Sequence, residues 1–218
     1  MTTPQTPQRQ LLERAAASLL DPQGRELAAS VQWWELPGLS RHGHPDAHWP
    51  LAVLGEGPPL LLLHGFDSSH LEFRRLAPLL ADRHRLLIPD LYGFGFCPRP
   101  SDGTYTPAGV LEHLELLLDA VLERWPGERL GVIGASMGGS VAMELARRRP
   151  DQVERLLLLA PAGLTGKPMP VPAPLHLLGA RFLGLPAIRR GLCRSAFAAP
   201  DRDVGQVPAC IQLGDALS

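Results

Sequence analysis

A serine flanked by glycines is the feature of this sequence best suited to chemistry. Ser136 lies in residues 134–139, Gly-Ala-Ser-Met-Gly-Gly. Small residues two positions before and after it, Gly134 and Gly138, let a strand and a helix approach closely across a sharp turn. The serine would then lie at a helix N-terminus, where backbone N–H groups stabilise developing negative charge. The spacing predicts a nucleophile, and the alternative is a serine that only caps the helix.

The elements around Ser136 follow from the hydrophobic pattern. An apolar strand should precede the serine, and residues 140–149 predict a helix that Pro150 ends. The apolar runs that predict buried strands are residues 59–63, 86–88, 130–133 and 156–160. Strands that alternate with helices at regular spacing indicate an α/β fold with a mostly parallel, doubly wound sheet.

The remaining segments complete this prediction. We expect a loose tail over residues 2–10, and the other predicted elements are helices at 11–20, 68–81 and 107–125 and strands at 31–36 and 51–54. These elements divide the chain into an N-terminal tail with a peripheral helix (1–30), a core (31–163) and a lid or partial lid (164–218).

Composition excludes several classes of function. The 218 residues include 21 Lys and Arg against 22 Asp and Glu, which does not favour nucleic-acid binding. No apolar run is long enough to cross a bilayer, and the first residues lack a secretion-signal pattern. The three cysteines lie far apart without metal-ligand spacing, at Cys97, Cys193 and Cys210. We therefore expect a soluble cytoplasmic protein.

Histidines provide the only pattern that could suggest a metal. They lie in or beside a segment rich in glycine and proline, at His42, His44 and His48. Without a cysteine partner, solvated loop histidines are the preferred interpretation. We expect neither a metal nor an organic cofactor.

Three motifs at the ends of predicted strands now appear in order. They are His-Gly-Phe-Asp-Ser-Ser at residues 64–69, Asp-Leu-Tyr-Gly-Phe-Gly at 90–95, and the glycine-flanked serine segment at 134–139. With them, residues 31–163 resemble the α/β-hydrolase fold family in its serine-type branch. The resemblance implies that Ser136 is the nucleophile and that the backbone N–H groups of Phe66 and Met137 form an oxyanion hole.

The same resemblance assigns supporting roles. It implies that Gly134 and Gly138 shape the turn, that His64 and Gly65 shape the oxyanion loop, and that Asp90 is structural. A catalytic base at His64 is the alternative, but the family places its base near the end of the chain. A dinucleotide-binding interpretation of the glycines fails on their spacing.

The resemblance does not extend to the acid and the histidine of a catalytic triad. In the family they follow the serine along the chain. The only candidates after residue 160 are His176, Asp201, Asp203 and Asp215, and none follows an apolar strand. Two explanations stay open: the chain is an N-terminal fragment of a longer hydrolase, which we favour, or it is a complete protein that has lost its triad and binds a ligand.

The expected activity is hydrolysis of carboxylic esters. A serine rather than an aspartate at residue 136 argues against dehalogenase and epoxide hydrolase chemistry in this family. Residues 164–218 are strongly apolar and carry several arginines, so we expect a cover over the serine that favours small-molecule esters with apolar groups. Contact of this basic segment with an anionic membrane is a less favoured alternative. A catalytically inactive binding protein is the alternative function.

Overall fold

The computed structural model describes residues 6–36, 38, 48–99 and 105–163. The helices are α1 (Pro7–Ser18), α2 (Pro22–Ala29), α3 (Ala77–Ala81), α4 (Pro107–Arg124) and α5 (Met137–Arg148), with a short 3₁₀ helix at His70–Phe73. The strands are β1 (Val31–Glu35), β2 (His48–Leu54), β3 (Pro59–Leu63), β4 (Arg85–Pro89), β5 (Leu130–Ala135) and β6 (Val153–Leu159).

The strands form one sheet in the order β1-β2-β4-β3-β5-β6. The last four strands in this order pair in parallel. Strand β2 pairs antiparallel with both of its neighbours, β1 and β4. The predicted α/β class with a mostly parallel sheet is therefore confirmed. In the register of β3 and β5, Leu63 pairs with Gly134, so the carboxyl ends of these strands lie side by side. The two loops that follow them must meet at that edge.

Hydrophobic side chains pack on both faces of the sheet. Alternate strand residues belong to different clusters: Leu61 and Leu63 to one, Leu62 to the other. The first cluster includes apolar residues of α4 and α5, and the second includes residues of α1, α2 and the 3₁₀ helix. Both faces are thus covered by helices, as a doubly wound sheet requires.

The N-terminal prediction was wrong in part. Residues 7–10 are helical, although we expected a tail through residue 10, and a second helix, α2, precedes β1. The reason is local capping: Thr6 Oγ1 accepts the Arg9 N–H at 3.2 Å, and Asp21 Oδ1 accepts the Gln23 N–H at 3.1 Å. A proline follows each cap at the first helical position. The single helix predicted over residues 68–81 is divided into the 3₁₀ helix and α3.

The strand predicted at residues 156–160 runs instead from Val153 to Leu159. In the described part of the chain it pairs only with β5, and Leu156, Leu157 and Leu159 are exposed. The predicted lid, with His176 and the downstream aspartates, lies outside the described residues, as do His42 and His44. None of the helices that the structure describes could cross a membrane.

Candidate active site

Ser136 forms the corner between β5 and α5. Its backbone has φ 49° and ψ −117°, a left-handed conformation that a residue with a side chain adopts only under strain. Backbone hydrogen bonds hold this conformation: the Ser136 N–H donates to Leu159 O at 2.9 Å, and its carbonyl accepts from Gly139 and Ala162. The residue is exposed, and its hydroxyl makes no capping bond to α5.

The glycines around Ser136 lie where a side chain would not fit. A Cβ on Gly134 would lie 2.4 Å from Gly138 O, and one on Gly138 would lie 2.1 Å from Leu63 O. The spacing of both glycines predicted this close approach, but it did not predict the one at Gly139, whose Cβ would lie 2.7 Å from Pro161 Cβ. The glycine doublet at residues 138–139 was the available signal.

The loop of residues 64–66 contacts this corner. A Cβ on Gly65 would lie 3.4 Å from Ser136 Cβ, so the two backbones are in close proximity. Phe66 follows with 72% of its surface exposed. Within the described residues, positive φ outside glycine occurs at Asp67, Ser136 and Ala160, all in segments that meet near this corner. Backbone strain of this kind concentrates at functional sites.

His64 is fully buried beneath the loop, and both of its ring nitrogens are engaged. Nε2 accepts the Leu91 N–H at 2.9 Å, so Nδ1 carries the proton and donates to Gly65 O at 2.8 Å. Burial is the main cause that lowers the pKa of His64 from its ordinary value, which keeps the imidazole neutral. In this arrangement neither nitrogen is available to take a proton from Ser136.

Asp90 lies at the end of β4 and connects two loops. Its Oδ1 accepts the backbone N–H of His70 at 2.6 Å and the ring N–H at 2.8 Å, and Oδ2 accepts the Phe96 N–H at 2.7 Å. Burial opposes ionisation, but His70 and the Phe96 N–H outweigh it and hold the pKa of Asp90 below its ordinary value. Gly95, with φ 55°, lies directly over the carboxyl group.

A pocket of about 350 Å³ opens beside the serine corner. Phe66 and Met137, whose N–H groups were predicted to form the oxyanion hole, are both part of its wall. The Phe66 and Phe94 rings meet edge to face at 5.5 Å between centroids. The lining of the pocket is mostly apolar and consists of Phe66, Phe94, Tyr105, Thr106, Pro107, Val110, Leu111, Met137, Ser140, Val141 and Glu144.

Sequence reasoning missed two side chains that support this site. Glu72 accepts the Gly65 N–H at 2.8 Å, and His70 holds Asp90 as described above. Both lie in a segment whose hydrophobic spacing predicts an ordinary helix, and no spacing in the sequence relates them to residue 65 or 90. Among the residues that the structure describes, no histidine is hydrogen-bonded to the Ser136 hydroxyl.

Comparisons with known proteins agree with this fold. A sequence model of the family described as alpha/beta hydrolase fold matches residues 58–209. The 2-hydroxymuconate semialdehyde hydrolase of Pseudomonas sp. strain CF600 is 35% identical over 114 residues, which are 51% of this chain and 39% of that protein. The chain spans less than half the length of this relative.

Two solved structures extend the comparison. A meta-cleavage product hydrolase from Pseudomonas fluorescens is 29% identical, with a TM-score of 0.50 over 55% of this chain and 44% of that chain. Cfl2 from Burkholderia cenocepacia is 23% identical, with a TM-score of 0.63 over 84% of this chain and 64% of that chain. The second likeness is one of fold alone.

Proposed function

Since this chain belongs to the α/β-hydrolase fold family, we propose that it is a serine hydrolase that cleaves carboxylic esters carrying apolar groups. The observation that carries the proposal is Ser136, an exposed residue held at positive φ at the start of α5, whose side chain makes no capping hydrogen bond. Relatives whose names describe hydrolases support the general class.

In the proposed reaction, the Ser136 hydroxyl attacks the ester carbonyl and loses its proton to a general base. The carbonyl oxygen becomes an oxyanion, which the N–H groups of Phe66 and Met137 stabilise. Cleavage of the bond to the leaving alcohol gives an acyl-serine, which water hydrolyses to the acid. The described residues do not provide the general base or its acid, and the sequence after residue 160 offers no candidate that follows an apolar strand.

The pocket favours neutral substrates over anionic ones. Its described lining contains no lysine, arginine or histidine, so nothing there would pair with a substrate carboxylate. Glu144 provides no positive charge either: it is ionised, hydrogen bonds from Arg147 and Arg148 lower its pKa to about 2, and these two arginines are already paired with it. We therefore favour neutral esters over an acidic substrate such as the one named for the 2-hydroxymuconate semialdehyde hydrolase.

A catalytically inactive binding protein of the same fold is the second candidate. It is supported by one observation, that no described histidine reaches the Ser136 hydroxyl. In that case the 350 Å³ pocket would hold an apolar ligand without cleaving it.

Turnover of a panel of p-nitrophenyl esters separates these candidates. The enzyme should hydrolyse neutral acyl esters, lose this activity in Ser136→Ala, and keep it in the matched control Ser18→Ala. Ser18 is an exposed serine at the end of α1, with its hydroxyl donated to Ala15 O at 2.8 Å, and it is not part of the pocket lining. Activity unchanged in Ser136→Ala would refute the proposal, and a folded protein that binds the esters without cleaving them would favour the binding role.

Two further proposals concern the rest of the chain. We propose a cytoplasmic location, because Cys97 is a free buried thiol and the other two cysteines are distant in sequence. We also propose that residues 164–218, outside the described part, cover the pocket rather than bind a membrane. Cell fractionation and vesicle sedimentation test these two proposals.

A further inference from the structure

The loop beside Ser136 is oriented by a carboxylate that no motif predicted. Glu72 Oε2 accepts the Gly65 N–H at 2.8 Å. The position of a Cβ on Gly65 would be 3.5 Å from this oxygen and 3.4 Å from Ser136 Cβ. Glu72 and the serine therefore lie close to the same residue of the loop.

Glu72 itself is held on a rigid support. It lies in the 3₁₀ helix His70–Phe73, whose first residue is fixed by two hydrogen bonds to the buried Asp90. Ser69 caps this helix through its hydroxyl, which accepts the Leu71 N–H at 3.3 Å. A carboxylate on such a support can hold its partner in a defined position.

Two side chains thus fix two consecutive peptides. Glu72 holds the N–H of the peptide between residues 64 and 65, and His64 holds the carbonyl of the next peptide, at Gly65 O. The C=O and N–H of a trans peptide point in opposite directions. The Gly65 carbonyl points to the buried imidazole, so the Phe66 N–H points away from the core.

From this geometry we infer that Glu72 is a positioning residue for the oxyanion hole, an inference that rests on the proposed function. By binding the Gly65 N–H, it prevents that group from serving as the anion donor and leaves the Phe66 N–H in that role. Its effect is on geometry and requires only an acceptor oxygen at this point. Glutamine should therefore replace it, and alanine should not.

The test compares Glu72→Ala and Glu72→Gln in the full chain by the kinetics of fluorophosphonate labelling. In Glu72→Ala the maximal labelling rate should fall about 10- to 100-fold, with the probe's apparent affinity unchanged, because the anion donor is misplaced. Glu72→Gln should stay within about threefold of the parent, since its amide oxygen accepts the same N–H. Glu128→Ala is the matched control, because it removes a hydrogen-bonded glutamate that pairs with Arg85 instead.

Amide exchange at Gly65, measured by NMR, provides a readout that does not require labelling. The Gly65 N–H should exchange at least about tenfold faster in Glu72→Ala and remain protected in Glu72→Gln. If the parent and Glu72→Ala are labelled at the same rate, the inference is overturned and the proposed function is left intact. If the parent does not label, the proposed function is overturned, and the exchange measurement alone then tests the positioning role of Glu72. Equal Gly65 exchange in all variants would overturn that role. Loss of protection in Glu72→Ala alone would support it.

Discussion

At Ser136, a strained residue is stabilised by its neighbours rather than by its own side chain. Three backbone hydrogen bonds hold its positive φ. Gly134 and Gly138, two positions before and after it, avoid the steric conflict that a Cβ at either position would create. The strain is of the order of 1–3 kcal/mol, so the surrounding packing must be tight enough to maintain it.

Gly138→Ala tests this packing directly. The new Cβ would lie 2.1 Å from Leu63 O, so we expect the free energy of unfolding to fall by about 3 kcal/mol. Gly24→Ala in α2 is the control: its Cβ would meet other atoms only at ordinary contact distances of 3.5 Å and more, and the unfolding free energy should rise by about 0.5 kcal/mol. Equal effects in urea denaturation would show that the corner is not tightly packed.

The lowered pKa of Asp90 predicts how the free energy of unfolding depends on pH. Its pKa in the folded protein lies below the ordinary value of 3.8, so ionised Asp90 contributes stability above that value. The contribution is lost as the pH falls through the folded pKa. Asp90→Asn should lower the unfolding free energy at pH 7 by about 2 kcal/mol, because the side chain no longer accepts charge-assisted hydrogen bonds from His70 and Phe96.

The difference between Asp90→Asn and the parent should then narrow below about pH 4. Denaturant titrations from pH 7 to pH 2 would detect this convergence. A constant difference at all pH values would contradict the role assigned to the ionised carboxylate.

At the scale of the elements, residue capping decides where the helices begin. Thr106 precedes α4, and its Oγ1 accepts the Gly109 N–H at 3.2 Å. The sequence predicted this start, because threonine before proline is a typical cap. The same pairing of a cap residue with proline, at Thr6 and Asp21, marks the starts of α1 and α2, which hydrophobic spacing alone did not predict.

Thr106→Ala should lower the unfolding free energy by about 1 kcal/mol, because one N–H of the first turn of α4 loses its acceptor. Thr106→Ser keeps an acceptor oxygen and should remain within about 0.5 kcal/mol of the parent. Thermal unfolding followed by circular dichroism checks both. Equal losses in the two variants would indicate that the methyl group, not the cap, is responsible.

At the scale of the molecule, the fold was predictable and the details of the site were not. Buried strands such as β3 and β5 are apolar runs, and the motifs at their ends are local in sequence. The bonds from Glu72 to Gly65 and from His70 to Asp90 join residues 7 and 20 positions apart, through a 3₁₀ helix. Such contacts depend on tertiary packing, which hydrophobic spacing does not encode.

The N-terminal helices are joined to the rest of the molecule by a nearly buried ion pair. Arg74 Nε donates to Asp21 Oδ2 at 2.7 Å, and their side chains are 8% and 10% exposed. Asp21→Ala should lower the unfolding free energy by about 3 kcal/mol, because it removes both the carboxylate that pairs with Arg74 and the cap of α2. The exposed pair of Arg9 and Glu13 provides the control, and Glu13→Ala should change stability by less than about 0.5 kcal/mol. Equal losses of unfolding free energy in Asp21→Ala and Glu13→Ala, measured by urea denaturation, would contradict this account.

The most direct test of the central claim is to locate the residue that a fluorophosphonate modifies. Mass spectrometry of the labelled chain should find one adduct, on Ser136, that is absent from Ser136→Ala and retained in Ser18→Ala. Such a result would identify the residue at the strained corner as an activated nucleophile. An adduct on another residue, or no adduct on a folded chain, would contradict the assignment of Ser136 as the nucleophile of a hydrolase.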